Sequence, residues 1–292
     1  MSNIWQESKL GRTGKVITGK TPSKDNPEDW GNDFLFITPS DYKNYGKKAC
    51  TSIRKLSKTG ADRQKQRLLP MNSVLVTCIG SDMGKTVCNA LPCVTNQQIN
   101  AIIPHQSITD PDYLYYVTKD LHEVFKSLGG DGTAVPILNK SDFENIDVLL
   151  PSITEQKAIA SVLSSLDDKI DLLHRQNKTL EAMAETLFRQ WFVEEAQDDW
   201  EEKSLLDVIE LVGGGTPKTS VAEYWSGEIP WLSGGDIASS HKSFVVSSEK
   251  KITQDGLKNS SAKLLPMFST VITARGSVGK YALLSKPMAY SQ

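Results

Sequence analysis

The sequence lacks most of the patterns that announce chemistry. Its four cysteines, Cys50, Cys78, Cys88 and Cys93, form no C-x-x-C pair. That excludes the common zinc and dithiol motifs and reads as reduced thiols in a cytoplasmic protein. The histidines, His105, His122, His174 and His241, are scattered, and none is assigned to a metal. No apolar run approaches the ~20 residues that cross a bilayer, and the opening MSNIWQESKLGRTG has no apolar signal core. The expected location is therefore the cytoplasm, with no membrane partner. No G-x-G-x-x-G follows a strand, and Asn26-Pro27-Glu28 is not the N-P-P-[YF] of amino-methyltransferases. The stretch Gly80 to Thr86 (GSDMGKT) misses the phosphate-binding G-x-x-x-x-G-K-[ST] by one residue, with Ile79 where the first glycine belongs. At that spacing the backbone amides do not wrap a phosphate. It reads instead as a turn after a strand, with Lys85 projecting. The D-x-K of Asp167 to Lys169 falls inside a helical pattern and not in a nuclease site. The expectation is no catalytic residue, no metal and no cofactor bound by this chain.

What is present is a skewed charge distribution. The 292 residues are 39% hydrophobic and 23% charged, a balance typical of soluble globular chains, and the length suggests two domains. The net charge of −2 hides an asymmetry: residues 1–150 carry +2, residues 151–203 carry −6 and residues 204–292 carry +2. Between Lys43 and Arg67 nine basic side chains face Asp62 alone, a local +8. Such a block is a footprint for a polyanion. Tyr42 and Tyr45 beside it are open to packing on bases or in a core, whereas Trp30 and Phe36 read as core.

The chain is organised around Thr154 to Glu195, which contains neither Gly nor Pro. Ile159, Leu163, Leu166, Ile170, Leu173, Leu180, Ala184, Leu187 and Trp191 recur in steps of four and three, with Asn177 in the polar slot. This heptad seam predicts a helix that packs along another helix. Ser152 to Glu155 supplies an S-x-x-E start. At 1.5 Å per residue the helix would span roughly 60 Å, too long for the core of a small domain.

The flanks of this helix repeat each other. Gly19-Lys20-Thr21-Pro22 returns as Gly214-Gly215-Thr216-Pro217, Trp30 as Trp225 and Asp41 as Asp236, all 195 residues on. Leu68 to Met71 returns as Leu264 to Met267, now 196 on, and the later pairs Gly84–Gly279 and Lys85–Lys280 return to 195. One insertion and one deletion hold the register over about eighty residues. Strands are predicted over Asp33–Thr38, Asn72–Ile79 and Ser269–Ala274, and a helix over Pro111–Leu128 closed by a loop at 129–132. Each Asp of the repeated pair reads as a turn or cap residue. The fold class is α+β: two mixed α/β modules joined by a long coiled-coil-type helix. The predicted boundaries are 1–153, 154–196 and 197–292. The second copy stops at Gln292, the counterpart of Gln97, so its C-terminal part and any second long helix are expected to be missing.

The sequence resembles the specificity (S) subunits of type I restriction–modification systems. Pro151 with Glu155, Gln156, Ile159, Ala160, Leu163, Leu166 and Asp167 is similar to that family's P-x-x-x-E-Q-x-x-I-A-x-x-L-x-x-L-D helix. The G-x-T-P-like starts at Gly19 and Gly214 and the L-L-P-x-x-[ST] runs add to it. The resemblance implies two target-recognition domains that read the halves of a bipartite duplex DNA sequence. It implies a paired helix that acts as spacer and docking site for modification (methyltransferase) subunits, with a restriction subunit added. S-adenosylmethionine, ATP and Mg would belong to those partners, and this subunit would be non-catalytic. The expected DNA contacts are Lys43, Lys47, Arg54, Arg63, Lys65 and Lys85 in the first module and Lys242, Arg275 and Lys280 in the second. The expected helix-pairing residues are Ile159, Leu163, Leu166, Ile170, Leu173, Asn177, Leu180, Leu187 and Trp191. Without a second helix the seam invites a homodimer. Rival readings are a coiled-coil scaffold with no DNA role and a free-standing enzyme. The basic block opposes the first, and the missing motifs oppose the second.

Overall fold

A computed structural model of the chain describes residues 5–23, 25–130, 136–197 and 199–292. Contacts divide it into two compact units, Met1–Glu195 and Ala196–Gln292, so the long helix belongs with the first.

The first unit runs β1 (Gln6–Lys9), β2 (Gly14–Thr18), β3 (Trp30–Ile37), β4 (Lys48–Ala49), β5 (Arg54–Leu56), α1 (Lys58–Arg63), β6 (Val74–Thr77), β7 (Thr86–Asn89), β8 (Cys93–Thr95), β9 (Ile99–Pro104), α2 (Pro111–Asp120), α3 (His122–Leu128), α4 (Lys140–Glu144), β10 (Asp147–Leu150) and α5 (Ile153–Arg189). Five strands form one sheet in the order β2-β9-β6-β7-β4, and three form another in the order β5-β3-β8. The run Val74 to Thr77 is wholly buried because β6 is covered on both faces and flanked by β7 and β9. Its Val74 and Val76 join Tyr113, Leu114, Phe125 and Phe143 in one cluster, while Leu75 joins Leu35, Ile37, Tyr42 and Ile99 in the other. That is the period-two alternation of a strand dividing two cores.

The single helix expected over 111–128 is two. It breaks at Leu121, so that Phe125 becomes the buried side chain and Val124 turns outward. Pro111 follows the N-cap Asp110, whose carboxylate accepts the N–H groups of Asp112 and Tyr113 at 3.0 Å each. The closing loop at 129–132 lies partly outside the described residues.

α5 is one uninterrupted helix of 37 residues, about 55 Å long. Ser152 caps it by accepting the Glu155 N–H at 3.3 Å. Its first four turns, as far as Asp167, meet the module. Ala160 is buried, Ile159 packs beside it, and Gln156 is 1% exposed. The Gln156 carboxamide is satisfied internally: it accepts from the Asp110 N–H at 2.9 Å and donates to the carbonyls of Ile108 and Pro151 at 3.0 Å. A buried amide with partners on both sides fixes the start of the helix against the module.

The second unit repeats the distal half of the first. Its elements are β11 (Trp225–Leu232), α6 (Gly234–Ser239), β12 (Phe244–Val245), β13 (Lys250–Ile252), α7 (Gln254–Lys258), β14 (Leu264–Leu265), β15 (Thr270–Ile272), β16 (Tyr281–Leu284) and β17 (Met288–Tyr290). The order β13-β11-β17 mirrors β5-β3-β8, and β12-β16-β15 mirrors β4-β7-β6. Even the irregularity is copied. β3 slips register against β5 between Trp30 and Phe34, and β11 slips against β13 between Trp225 and Ile229. The segment 209–213, aligned with β2, forms no strand among the described residues, and Ile209 and Leu211 are exposed.

Candidate nucleic-acid interface

The +8 block folds as β4, β5, α1 and the turns around them, and tertiary contacts withdraw part of its charge. Lys47 turns inward. Its ammonium pairs with Asp112 at 2.8 Å, donates to the Ser164 hydroxyl at 2.6 Å and lies 4.8 Å from the Tyr116 ring, leaving the side chain 8% exposed. Burial pulls its pKa down, but the hydrogen bond and charge of Asp112 more than offset this and hold it above the ordinary lysine value. Lys47 is thus a tie between module and α5, with its ammonium engaged inside the fold. Arg63 is also engaged. Its two terminal nitrogens reach Asp29 at 2.5 Å and Glu28 at 2.9 Å, so its charge is matched within the module. Lys85 pairs with Asp82 at 2.6 Å, both half exposed, a pairing that is easily exchanged.

Lys43, Lys48, Lys55, Lys58, Lys65 and Arg67 remain, with Arg54. Among the described residues no carboxylate pairs with any of them, and Lys43 and Lys65 are exposed. Arg54 stays solvent-facing while its guanidinium lies 4.7 Å from the Trp30 ring and 4.9 Å from the Phe36 ring. A planar cation held on aromatic faces keeps its donors free in the plane. Trp30 and Phe36 meet edge to face at 5.2 Å and are floor as much as core. Tyr42 is core: it is 6% exposed and donates to the Leu75 carbonyl at 3.1 Å. Tyr45 donates to the Thr51 carbonyl.

In the second unit Lys242 has φ of 65°, and its N–H donates to the Tyr281 carbonyl at 2.9 Å, so the side chain leaves the sheet edge at a turn. Arg275 and Lys280 lie in the β15–β16 hairpin. That turn and the β6–β7 turn are the same device. Thr77 accepts the Lys85 N–H and Thr273 accepts the Lys280 N–H, each at 3.0 Å on the hydroxyl. Gly80, Gly84, Gly276 and Gly279 all take positive φ there. The GK motif is therefore a hairpin that presents a lysine.

The repeated acids have a definite task. Asp41 and Asp236 each accept the N–H and hydroxyl of the residue three before, Thr38 or Ser233, closing a helical turn. Burial raises the pKa of Asp236, but the Ser233 hydroxyl and N–H and the Glu249 N–H outweigh it and leave the carboxyl below its usual value. The second oxygen of each acid accepts the N–H of the residue just before β5 or β13, a contact no sequence spacing signals. Gln156 was visible only as part of a motif, and nothing in its type or spacing marked it as buried.

Along α5 the seam is bare. Leu163 is half-buried, but Leu166 is 57% exposed, Ile170 51%, Leu173 43%, Leu180 61%, Leu187 40% and Trp191 53%. Asn177 is exposed as well.

A family model described as the type I restriction modification DNA specificity domain matches residues 3–182 and again 197–292. The chain belongs to this family. The specificity domain is thus present twice, in step with the repeat of sheets and of the Asp41 and Asp236 turns. The chain is similar to the MjaIX type I restriction enzyme specificity subunit of Methanocaldococcus jannaschii, 28% identical over 298 residues, 95% of this chain and 68% of that one. It is similar to the HindI specificity subunit of Haemophilus influenzae, 34% identical over 174 residues, 57% of this chain and only 37% of the relative. A crystal structure of a type I restriction–modification S subunit from M. genitalium shares the fold, with a TM-score of 0.59 and 17% identity over 99% of this chain and 71% of that one. The fold is α+β, with mixed α/β specificity domains and a long helix, and no described helix is long and apolar enough to cross a membrane.

Proposed function

We propose that the chain is the DNA sequence-specificity element of a type I restriction–modification complex. Each unit reads one half of a bipartite duplex target. The observation that carries this is the duplicated frame in a member of a DNA specificity family: the same sheets, clamps and hairpins recur, while the charged side chains they present differ. Phosphate contacts by Lys43, Arg54, Lys65, Lys242, Arg275 and Lys280 position the units, and a few side chains at the tips read base edges. Catalysis lies in partner subunits, which carry S-adenosylmethionine, ATP and Mg, in the cytoplasm. The 55 Å helix exceeds the ~34–36 Å of one turn of B-DNA, which suits a spacer between half-sites. Its bare seam is the docking face for a second helix, either of a modification subunit or of another copy of this chain.

The test is a shift assay of the purified chain on a randomised duplex pool. Retention that falls steeply as salt rises, together with recovery of a two-part sequence, is the expected result. No DNA retention at low salt would leave the scaffold reading, which the exposed helix seam favours.

A further inference from the structure

Two aspartates, Asp41 buried and Asp236 half-buried, frame a surface. In the first unit Asp41, 1% exposed, uses its free oxygen to accept the Ile53 N–H at 2.9 Å. In the second, Asp236 accepts the Glu249 N–H at 3.0 Å. Each carboxylate therefore ties a helical turn to the first residue of a short tip, 53–55 or 249–251. The serine just before each tip closes it: Ser52 donates to the Arg54 carbonyl and Ser248 to the Lys250 carbonyl, both at 2.6 Å. Beneath each tip lies an aromatic pair at 5.2 Å, Trp30 with Phe36 or Trp225 with Trp231. The middle residue of each tip is a cation over that floor, Arg54 at 4.7 Å and Lys250 at 6.0 Å.

The frame is constant and the leading side chain is not. Ile53 is 69% exposed, and Glu249 is exposed in the equivalent place. A large apolar side chain gains nothing by standing in water on a backbone held this firmly. An open cleft of about 320 Å³ lies beside it, lined by Trp30, Gly31, Asn32, Ile53, Arg54 and Lys55. A rigid mount with an interchangeable head suits two readers of two different sequences.

We propose that Ile53 and Glu249 are base-reading residues, a step that rests on the DNA-reading function above. In the major groove thymine alone among the four bases presents a methyl group, and apolar side chains select it. A carboxylate accepts from the N4 amino group of cytosine and repels the acceptor edge of guanine. Ile53 therefore selects thymine at one position of one half-site, and Glu249 selects cytosine at one position of the other. Arg54 with Lys55 and Lys250 with Lys251 follow each head and hold the adjacent phosphates.

The experiment is sequence selection from a randomised duplex library by the whole chain, compared with Ile53→Glu, Ile53→Val and Glu249→Ile. Ile53→Glu should change one preferred thymine to cytosine, with discrimination of roughly tenfold, and leave the other half-site alone. Glu249→Ile should make the converse change in the other half-site. Ile53→Val should keep the thymine. Both positions are exposed, so thermal midpoints close to the parent's accompany these changes. If the parent recovers a sequence that Ile53→Glu and Glu249→Ile also recover unchanged, the assignment is overturned while DNA reading stands. If the parent recovers no sequence, DNA reading fails and the assignment fails with it.

Discussion

At the scale of single residues, burial decides what each side chain can do. Cys78, Cys88 and Cys93 are buried, and desolvation pushes each thiol up to about 12, whereas Cys50 is exposed. An aromatic disulfide reagent at pH 8 should titrate one thiol quickly in the native chain and four in denaturant. Two or more fast thiols would mean the β6–β8 core opens. These buried thiols also set a sign. Their folded pKa lies above the unfolded one, so their contribution to stability is intact below about pH 9 and is lost as pH rises towards 12. Among the cations, Arg63 and the pair Lys65 and Arg67 should separate. Changing Lys65 and Arg67 to Ala should flatten the slope of log affinity against log salt by up to ~0.9 per lost contact. Arg63→Ala should leave the slope alone and lower the thermal midpoint, because it releases the 4%-exposed carboxylate of Asp29. Equal slope changes for all three would place Arg63 on the phosphates after all.

At the scale of elements, the join between α2, β4 and α5 carries the geometry. Lys47 from β4's edge, Asp112 and Tyr116 from α2, and Ser164 and Asp167 from α5 meet in one polar knot, with the Tyr116 hydroxyl donating to Asp167 at 2.8 Å. Asp112 is 42% exposed, so the pair is partly screened, and losing either partner should cost about 1–3 kcal/mol. Lys47→Met and Asp112→Asn should be less than additive in a double-mutant cycle of urea midpoints. Full additivity would show that the two side chains do not interact in solution. At Gly60 an added Cβ would stand 2.1 Å from the Asp29 carbonyl oxygen. A Cβ added at Gly256 would stand 2.4 Å from the Tyr224 carbonyl oxygen, so close helix-to-loop approach is a repeated requirement of the frame.

At the scale of the whole molecule, the α5 seam leaves a long apolar stripe exposed. Each leucine along it would gain on the order of 1.5–3 kcal/mol if buried. Leu173→Asp should abolish concentration-dependent association in sedimentation at micromolar levels and leave the midpoint of the first unit's unfolding unchanged. A parent chain that stays monomeric, with a mass indifferent to this change, would rule out a second copy as the cover of the seam.

The sequence by itself determined the plan. Periodicity, the absence of Gly and Pro from 154–195, and a repeat kept over eighty residues were enough for two α+β modules and a long helix, because these signals are local or recur in register. The GK turn and the cap role of Asp41 and Asp236 were also legible, since both depend on neighbours within a few residues. Three things depended on contacts between distant segments. Lys47 and Arg63 looked identical to Lys43 and Lys65 as letters, and only Asp112, Asp29 and Glu28 distinguish them. Tyr42 became core because β6 passes beneath it. Ile53 carries no signal in the sequence, because an isoleucine is singled out only by the buried carboxylate 12 residues away that holds its backbone in place. Charge and period can be read along a chain, but which charges are neutralised and which apolar side chains are left outside is settled by what folds against them.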